Sequence, residues 1–236
     1  MTNALELHDV TKEYHGSPSV VALRSVNLTV RMGEFAAVVG PSGSGKTTLL
    51  SIAGTLERPT SGRVVIGGSA VEELSDDQLA DVRAAEIGFV FQRFFLLETL
   101  STLHNVANGL LYRGVGVERR RRAARSALEA VRLDHRASHR PSQLSGGESQ
   151  RAAIARALVG DPRIILADEP TGNVDSAQGD EILHLLSELN AAGRTIVVVT
   201  HSQEISNAIP RTVRVRDGQV ESDSGSSRED DGHAAE

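Results

Sequence analysis

Residues 35–50 read Phe-Ala-Ala-Val-Val-Gly-Pro-Ser-Gly-Ser-Gly-Lys-Thr-Thr-Leu-Leu. Five apolar residues run into the spacing G-x-x-x-x-G-K-[ST] at Gly40, Pro41, Ser42, Gly43, Ser44, Gly45, Lys46 and Thr47. Thr48, Leu49, Leu50 and Ile52 then suit a helix. A buried strand, a glycine loop and a helix N-terminus in that order make a phosphate cradle. The glycines let backbone N–H groups curl round an anion, and the helix end adds partial positive charge. In such a cradle Lys46 neutralises β- and γ-phosphates, and the Thr47 hydroxyl ligates Mg²⁺. The chain has only two lysines, and this is one of them.

Outward from this loop, short apolar runs recur at 64–66, 87–91, 164–167 and 195–199. Runs this short and apolar suit strands buried on both faces, and the helical stretches between them favour an α/β fold with a mostly parallel core sheet. The first thirty residues differ. Leu5, Leu7, Val21, Leu23, Val26, Leu28 and Val30 alternate loosely with polar residues, which predicts an N-terminal antiparallel β subdomain. Val213, Val215 and Val220 around Asp217-Gly218 predict a late hairpin. Residues 98–160 lack a strand pattern and read as an inserted α-helical subdomain. Its helices are expected around Val106–Leu111, Ala123–Leu133 and Ala152–Leu158. Arg119–Arg122 at the start of the second is read as a solvated face.

The chain has 236 residues, no cysteine and a net charge of −6. That charge lies wholly in residues 217–236, where seven acids face one arginine; the rest is neutral. No basic nucleic-acid footprint exists, and no nucleic-acid partner is expected. Residues 1–220 read as a single domain. Residues 221–236 are Ser/Gly/acid-rich and read as a disordered tail. The N-terminus lacks the pattern of a signal peptide, and no apolar run reaches membrane-spanning length.

Ile164-Ile165-Leu166-Ala167-Asp168-Glu169 is an apolar strand ending in two carboxylates. Downstream of such a loop, Asp168 is placed to hold Mg²⁺ directly or through water, and Glu169 to polarise an attacking water as general base. Leu144-Ser145-Gly146-Gly147-Glu148 opens a helix and offers a second anion-binding end, with a hydroxyl, free glycine N–H groups and a helix dipole. One nucleotide does not need two cradles from one chain, but two chains head to tail would let each phosphate loop face the other's Ser145, Gly146 and Gly147. With Ser149-Gln150-Arg151 close behind, this segment resembles the signature of the ATP-binding cassette (ABC) ATPases, P-loop NTPases that bind and hydrolyse ATP with Mg²⁺. Glu148 stands where that signature often has Gln.

The resemblance extends over residues 4–220 and implies further roles. Tyr14 matches the aromatic that stacks on adenine. Gln92 matches the Q-loop glutamine, which senses Mg²⁺ and water and links to the membrane partner. Asp175, in Gly172-Asn173-Val174-Asp175, matches a D-loop residue that works across the dimer. His201 matches the switch histidine at the γ-phosphate. The implied catalytic set is Lys46, Gln92, Glu169 and His201, and the implied metal set is Thr47, Gln92 and Asp168. Phe89 and Phe91 read as core. Phe94, Phe95, Leu96 and Leu97, just past Gln92, read as an exposed apolar cluster where an integral membrane permease docks.

Phe91-Gln92-x-Phe-x-Leu-Leu and Glu169-Pro170-Thr171-Gly172-Asn173-Val174-Asp175 resemble the branch that serves lipoprotein release, macrolide export and cell division, the MacB/LolD branch. It usually has Leu at the position of Val174 and an acid at that of His104. The resemblance implies an ATP-hydrolysing homodimer, or pseudo-dimer with a related subunit. Such a dimer would sit in the cytoplasm on the inner face of the membrane and energise a separate permease for export or mechanical transduction. The alternatives are a soluble regulatory ATPase of the same class, or an importer subunit. A kinase or GTPase would share residues 40–47 but has no use for Leu144–Glu148. A chromosome-type ATPase needs a long coiled coil between the two motifs, and a translation factor needs two cassettes in one chain.

Overall fold

The computed structural model describes residues 2–225 and contains two sheets and a helical insertion. The first sheet is antiparallel. Its strands β1 (Asn3–Tyr14), β2 (Val20–Arg31), β4 (Ser61–Ile66) and β5 (Ser69–Ala70) lie in the order β2-β1-β4-β5. Alternation explains the one-sided packing: Leu5, Leu7, Val10, Leu23, Val26, Leu28 and Val30 are buried, and the polar residues between them are exposed or half-buried.

The second sheet has strands β3 (Phe35–Val39), β6 (Ile87–Val90), β7 (Ile164–Asp168), β8 (Ile196–Thr200), β9 (Arg211–Arg216) and β10 (Gln219–Asp223). Their order is β10-β9-β3-β8-β7-β6, parallel except for the terminal β9–β10 hairpin. Every residue of β3 and β8 is buried, as their unbroken apolar runs require of central parallel strands. The two faces of this sheet feed two cores. Val38, Leu166, Val197 and Val199 pack with the first sheet and α1 (Lys46–Ala53). Ala37, Val39, Ile165 and Val198 pack toward α5 (Gly146–Leu158) and α6 (Ser176–Ala191). Two shorter helices, α2 (Asp76–Glu86) and α7 (Gln203–Ala208), complete the body.

The insertion carries α3 (Thr102–Ala107), α4 (Val117–Ala130) and α5. Ser75, Ser101, Ser145, Asp175 and Ser202 each cap a helix by accepting a backbone N–H, worth about 1 kcal/mol apiece.

Several expectations are corrected. The run 64–66 belongs to β4 and pairs antiparallel with β1, not with the parallel sheet, because its partner strand is the long β1. Phe89 packs half-buried against the core as expected, but Phe91, stacked 5.4 Å from it, is half-buried outside the core, and both line a surface groove. The second insertion helix begins earlier and ends at Ala130, although Val131 and Leu133 beyond it are buried; Leu111 is exposed. Residues 221–223, read as disordered tail, form the end of β10. Arg211 holds Asp223 there at 2.6 and 2.9 Å. Residues 226–236 of that expected tail lie outside the described residues.

Candidate functional site

The phosphate loop is built by three constraints. β3 delivers the chain to Gly40, where any Cβ would collide with the Val215 carbonyl oxygen. Gly45 caps α1 with φ 101°, a left-handed backbone that side chains rarely adopt. The β9–β10 turn latches the loop, because Gly218 donates its N–H to the Ser44 carbonyl at 3.0 Å, and accepts in turn from Arg24 N–H of β2 at 2.8 Å. Between loop, β2 and turn lies a cavity of about 360 Å³, lined by Val20, Ala22, Arg24, Gly43, Thr48 and Asp217 among others.

Lys46 is buried, and its ammonium donates to the carbonyls of Gly40 and Pro41, both at 2.8 Å. Burial lowers its pKa, against the opposing pull of the Glu169 and Asp168 charges. Burial and the neighbouring Glu169 together raise the pKa of Asp168, against the pull of Lys46. Among the described residues, no hydrogen bond reaches the Asp168 carboxylate, and none reaches the Thr47 hydroxyl. Two hard oxygen donors left without partners beside a phosphate loop fit Mg²⁺, which takes one or two protein oxygens and keeps the rest of its shell for phosphate and water.

Glu169 lies one residue past β7 with φ 43°, in a region that non-glycine residues enter only when the surroundings hold them there. The surroundings are the end of β8. Thr200 Oγ1 donates to Glu169 Oε2 at 2.9 Å, His201 N–H donates to Oε1 at 2.9 Å, and His201 Nδ1 lies 2.6 Å from Oε1. With Nδ1 as the donor, Nε2 faces outward. Sequence reading places Glu169 and His201 at one site but does not anticipate that they bond each other. It also misses Thr200, although its position directly before His201 at a strand end is an available signal.

Gln92 follows β6 on the same side. Its side-chain amide lies over Gly172, where a Cβ would meet it at 2.7 Å, and its backbone carbonyl accepts from Asn173 Nδ2 at 2.8 Å. The structure therefore joins the residues expected for Q-loop and D-loop. Tyr14, at the end of β1, donates its hydroxyl to Glu57 at 2.9 Å and sits 3.5 Å from Thr48 Oγ1; Lys12 stands 5.1 Å from its ring centroid.

Ser145 caps α5 in a reciprocal box. Its hydroxyl accepts from Glu148 N–H at 3.1 Å, and its N–H donates to Glu148 Oε2 at 2.8 Å. Glu148 is held below the usual carboxylate range, first by that Ser145 N–H, then by Arg136, against burial. The expectation that the glycine N–H groups here are free needs correction. Gly147 N–H donates to Gln178 Oε1 at 2.7 Å, because α6 packs against this helix end and Asp175 caps α6 at Gln178 N–H. The Ser145 O–H remains available to donate outward. No hydrogen bond or ion pair joins residues 144–148 to residues 40–47 among the described residues.

A groove of about 650 Å³ runs between the parallel sheet and the insertion. Phe89, Phe91, Phe95, Tyr112 and Pro162 line it, and Phe95 is 60% and Tyr112 86% exposed. Of the expected apolar cluster, Phe95 and Leu97 are exposed, whereas Phe94 and Leu96 are half-buried. Among the described residues, no helix is long and apolar enough to cross a membrane.

The family described as ABC transporter matches residues 23–172. An uncharacterized ABC transporter ATP-binding protein of Thermotoga maritima is 51% identical over 94% of this chain and 95% of its own length. The macrolide export ATP-binding/permease protein MacB of Hyphomonas neptunium is 48% identical over 94% of this chain, which spans only 34% of that longer protein. Among solved structures, a dimeric post-hydrolysis state of the ATP-binding cassette MJ0796 bound to ADP and Pi is 45% identical. It covers 93% of this chain and 97% of its own, with a TM-score of 0.83.

Proposed function

The chain belongs to the ABC transporter family as an ATP-hydrolysing, ATP-binding cassette, and on that premise we propose that two copies close head to tail on ATP to drive a separate membrane permease. One observation carries the reading. The chain holds two anion-receiving helix ends, at Lys46 and at Ser145, that make no bond to each other among the described residues. A second copy would bring its Ser145 hydroxyl and Gly146 N–H to the γ-phosphate held by the first copy's loop. The dimeric cassette MJ0796, similar over almost the whole chain, supports the arrangement.

In this reading Gly40, Pro41, Ser42, Gly43, Ser44, Gly45 and Thr48 wrap the phosphates, and Lys46 leaves its two carbonyls for phosphate oxygens. Tyr14 stacks the adenine. Thr47, Asp168 and Gln92 hold Mg²⁺, which neutralises charge on the β- and γ-phosphates. Glu169 takes a proton from the attacking water. His201, positioned through Nδ1 by Glu169, presents Nε2 toward the γ-phosphate. Thr200 fixes the second carboxylate oxygen so that Oε1 keeps its aim. Asp175 contributes across the dimer from the cap of α6.

The permease is proposed to dock in the groove around Phe95 and Tyr112. Large exposed aromatics on a concave apolar surface are unusual for a free face. Similarity to MacB supports an export or mechanical role at the cytoplasmic face of a membrane. The test is affinity capture of Glu169→Gln protein with ATP·Mg²⁺ from detergent-solubilised native membranes. Recovery of a few-span permease with a large outer domain, lost on Phe95→Asp, is expected. Recovery of a many-span importer subunit contradicts the export reading, and recovery of no membrane protein contradicts docking.

A further inference from the structure

Helix α5 touches two places at once. Its N-cap is Ser145, the residue assigned above to the nucleotide of a second copy. Eleven residues on, about 16 Å along the axis, Arg156 reaches out of the insertion. Its Nη1 donates to the Phe95 carbonyl at 2.6 Å and its Nη2 to the Phe94 carbonyl at 2.8 Å. Those are its only polar partners among the described residues, and no carboxylate pairs with it there. Burial lowers its pKa, so the protein keeps a desolvated cation here without an acid to offset it.

At the second of the two consecutive carbonyls that face the one guanidinium, Phe95 has φ 48°, a left-handed kink in the backbone. The kink leaves the Phe95 ring 60% exposed on the groove, edge-on to Phe91 at 5.5 Å. Arg156 itself lines that groove.

We propose that Arg156 is a positioning residue that locks the Phe94–Phe95 backbone to the helix carrying Ser145, so that ATP captured by Ser145 moves Phe95 and reshapes the docking groove. The inference rests on the proposed head-to-tail dimer. α5 is a continuous, capped helix, so a displacement at its cap reaches Arg156 within one rigid body. The planar fork carries that displacement onto two backbone atoms, where a single-point contact would let the segment pivot.

The chain contains no tryptophan, so Phe95→Trp introduces a single tryptophan, excited selectively beyond tyrosine absorption, at the exposed position itself. The experiment uses the full chain with Phe95→Trp and Glu169→Gln, mixed with ATP·Mg²⁺, with size-exclusion elution and tryptophan emission read on one sample. With Arg156 intact, dimer formation and an emission shift are expected together. Arg156→Met should still dimerise but lose the shift. Arg156→Lys keeps the charge without the fork and should lose at least half of it; this variant decides the matter if Arg156→Met does not fold. A dimer whose tryptophan emission stays unchanged when Arg156 is intact overturns the inference and leaves the dimer standing. A full shift in either Arg156 variant overturns it too. Failure of ATP to dimerise the Arg156-intact protein overturns the underlying dimer reading and the inference with it.

Discussion

A carboxylate at the end of a buried strand must be turned before it can meet a ligand. Glu169 does this with a left-handed backbone, and Thr200 and His201 hold it in place. The cost of that backbone, of order 1–3 kcal/mol, is met by three hydrogen bonds. Glu169→Gln should therefore fold and bind ATP, yet hydrolyse it at least ~100-fold more slowly in a phosphate-release assay. Thr200→Val removes the aiming contact to Glu169 together with the acceptor of the Ser202 N–H, and should cost roughly tenfold in rate, with ATP affinity unchanged; an unaltered rate would show that Thr200 does not position Glu169. Asp168 behaves differently. Its pKa is raised from 3.8, chiefly by burial, so the folded chain holds this proton more tightly than the unfolded chain does. That contribution is complete below the ordinary value and is lost as pH rises through the raised one. At pH 7 the bare carboxylate is a net cost. Asp168→Asn should raise stability there by less than about 1 kcal/mol, because solvent screens a half-exposed carboxylate, while abolishing Mg²⁺-dependent hydrolysis. The difference in Tm should vanish in acid, below the ordinary carboxylate value. The types and order of these residues are legible in the sequence because spacing encodes them. The Glu169–His201 bond is not, since only the β7–β8 pairing brings these two distant positions together.

Elements carry the next constraint. The P-loop's shape depends on the turn at Gly218, and that turn depends on the β9–β10 hairpin. Arg211 ties the hairpin down through Asp223, Glu34 and the Thr29 carbonyl, linking the core sheet to β2. Burial pushes the Asp223 carboxyl up, but the hydrogen bonds from Arg211 and Gly225 and the Arg211 charge outweigh it and hold the group below its usual range. Its stabilisation is present above pH 3.8 and lost as pH falls through the depressed value. Asp223→Asn should cost about 2 kcal/mol in denaturant unfolding at pH 7, less than a fully stranded arginine because Glu34 remains. That gap should narrow in acid. The hairpin is legible from Val213, Val215 and Val220 around Asp217-Gly218, but the far end of its second strand is hidden, because Glu221-Ser222-Asp223 has no apolar residue. An edge strand paired on one side is specified by its partner and by one ion pair, not by hydrophobic periodicity. The central strands β3 and β8 are legible for the opposite reason, being buried on both faces.

At the scale of the whole molecule, the division into an antiparallel sheet, a parallel sheet and a helical insertion follows from where alternation, apolar runs and helical stretches fall. The groove between sheet and insertion cannot be read that way, since Phe89 and Phe91 sit in an apolar strand run and still face it. In the proposed dimer, a working ATP site needs two chains. The most direct test mixes two inactive proteins, one Lys46→Ala and one Ser145→Arg, and follows phosphate release. In a head-to-tail dimer of the two, one site combines both defects and the other combines an intact P-loop with an intact Ser145. Neither protein should hydrolyse ATP alone, and mixing should restore hydrolysis. A mixture no more active than its separate components, while wild-type protein turns over under the same conditions, would contradict the two-chain site.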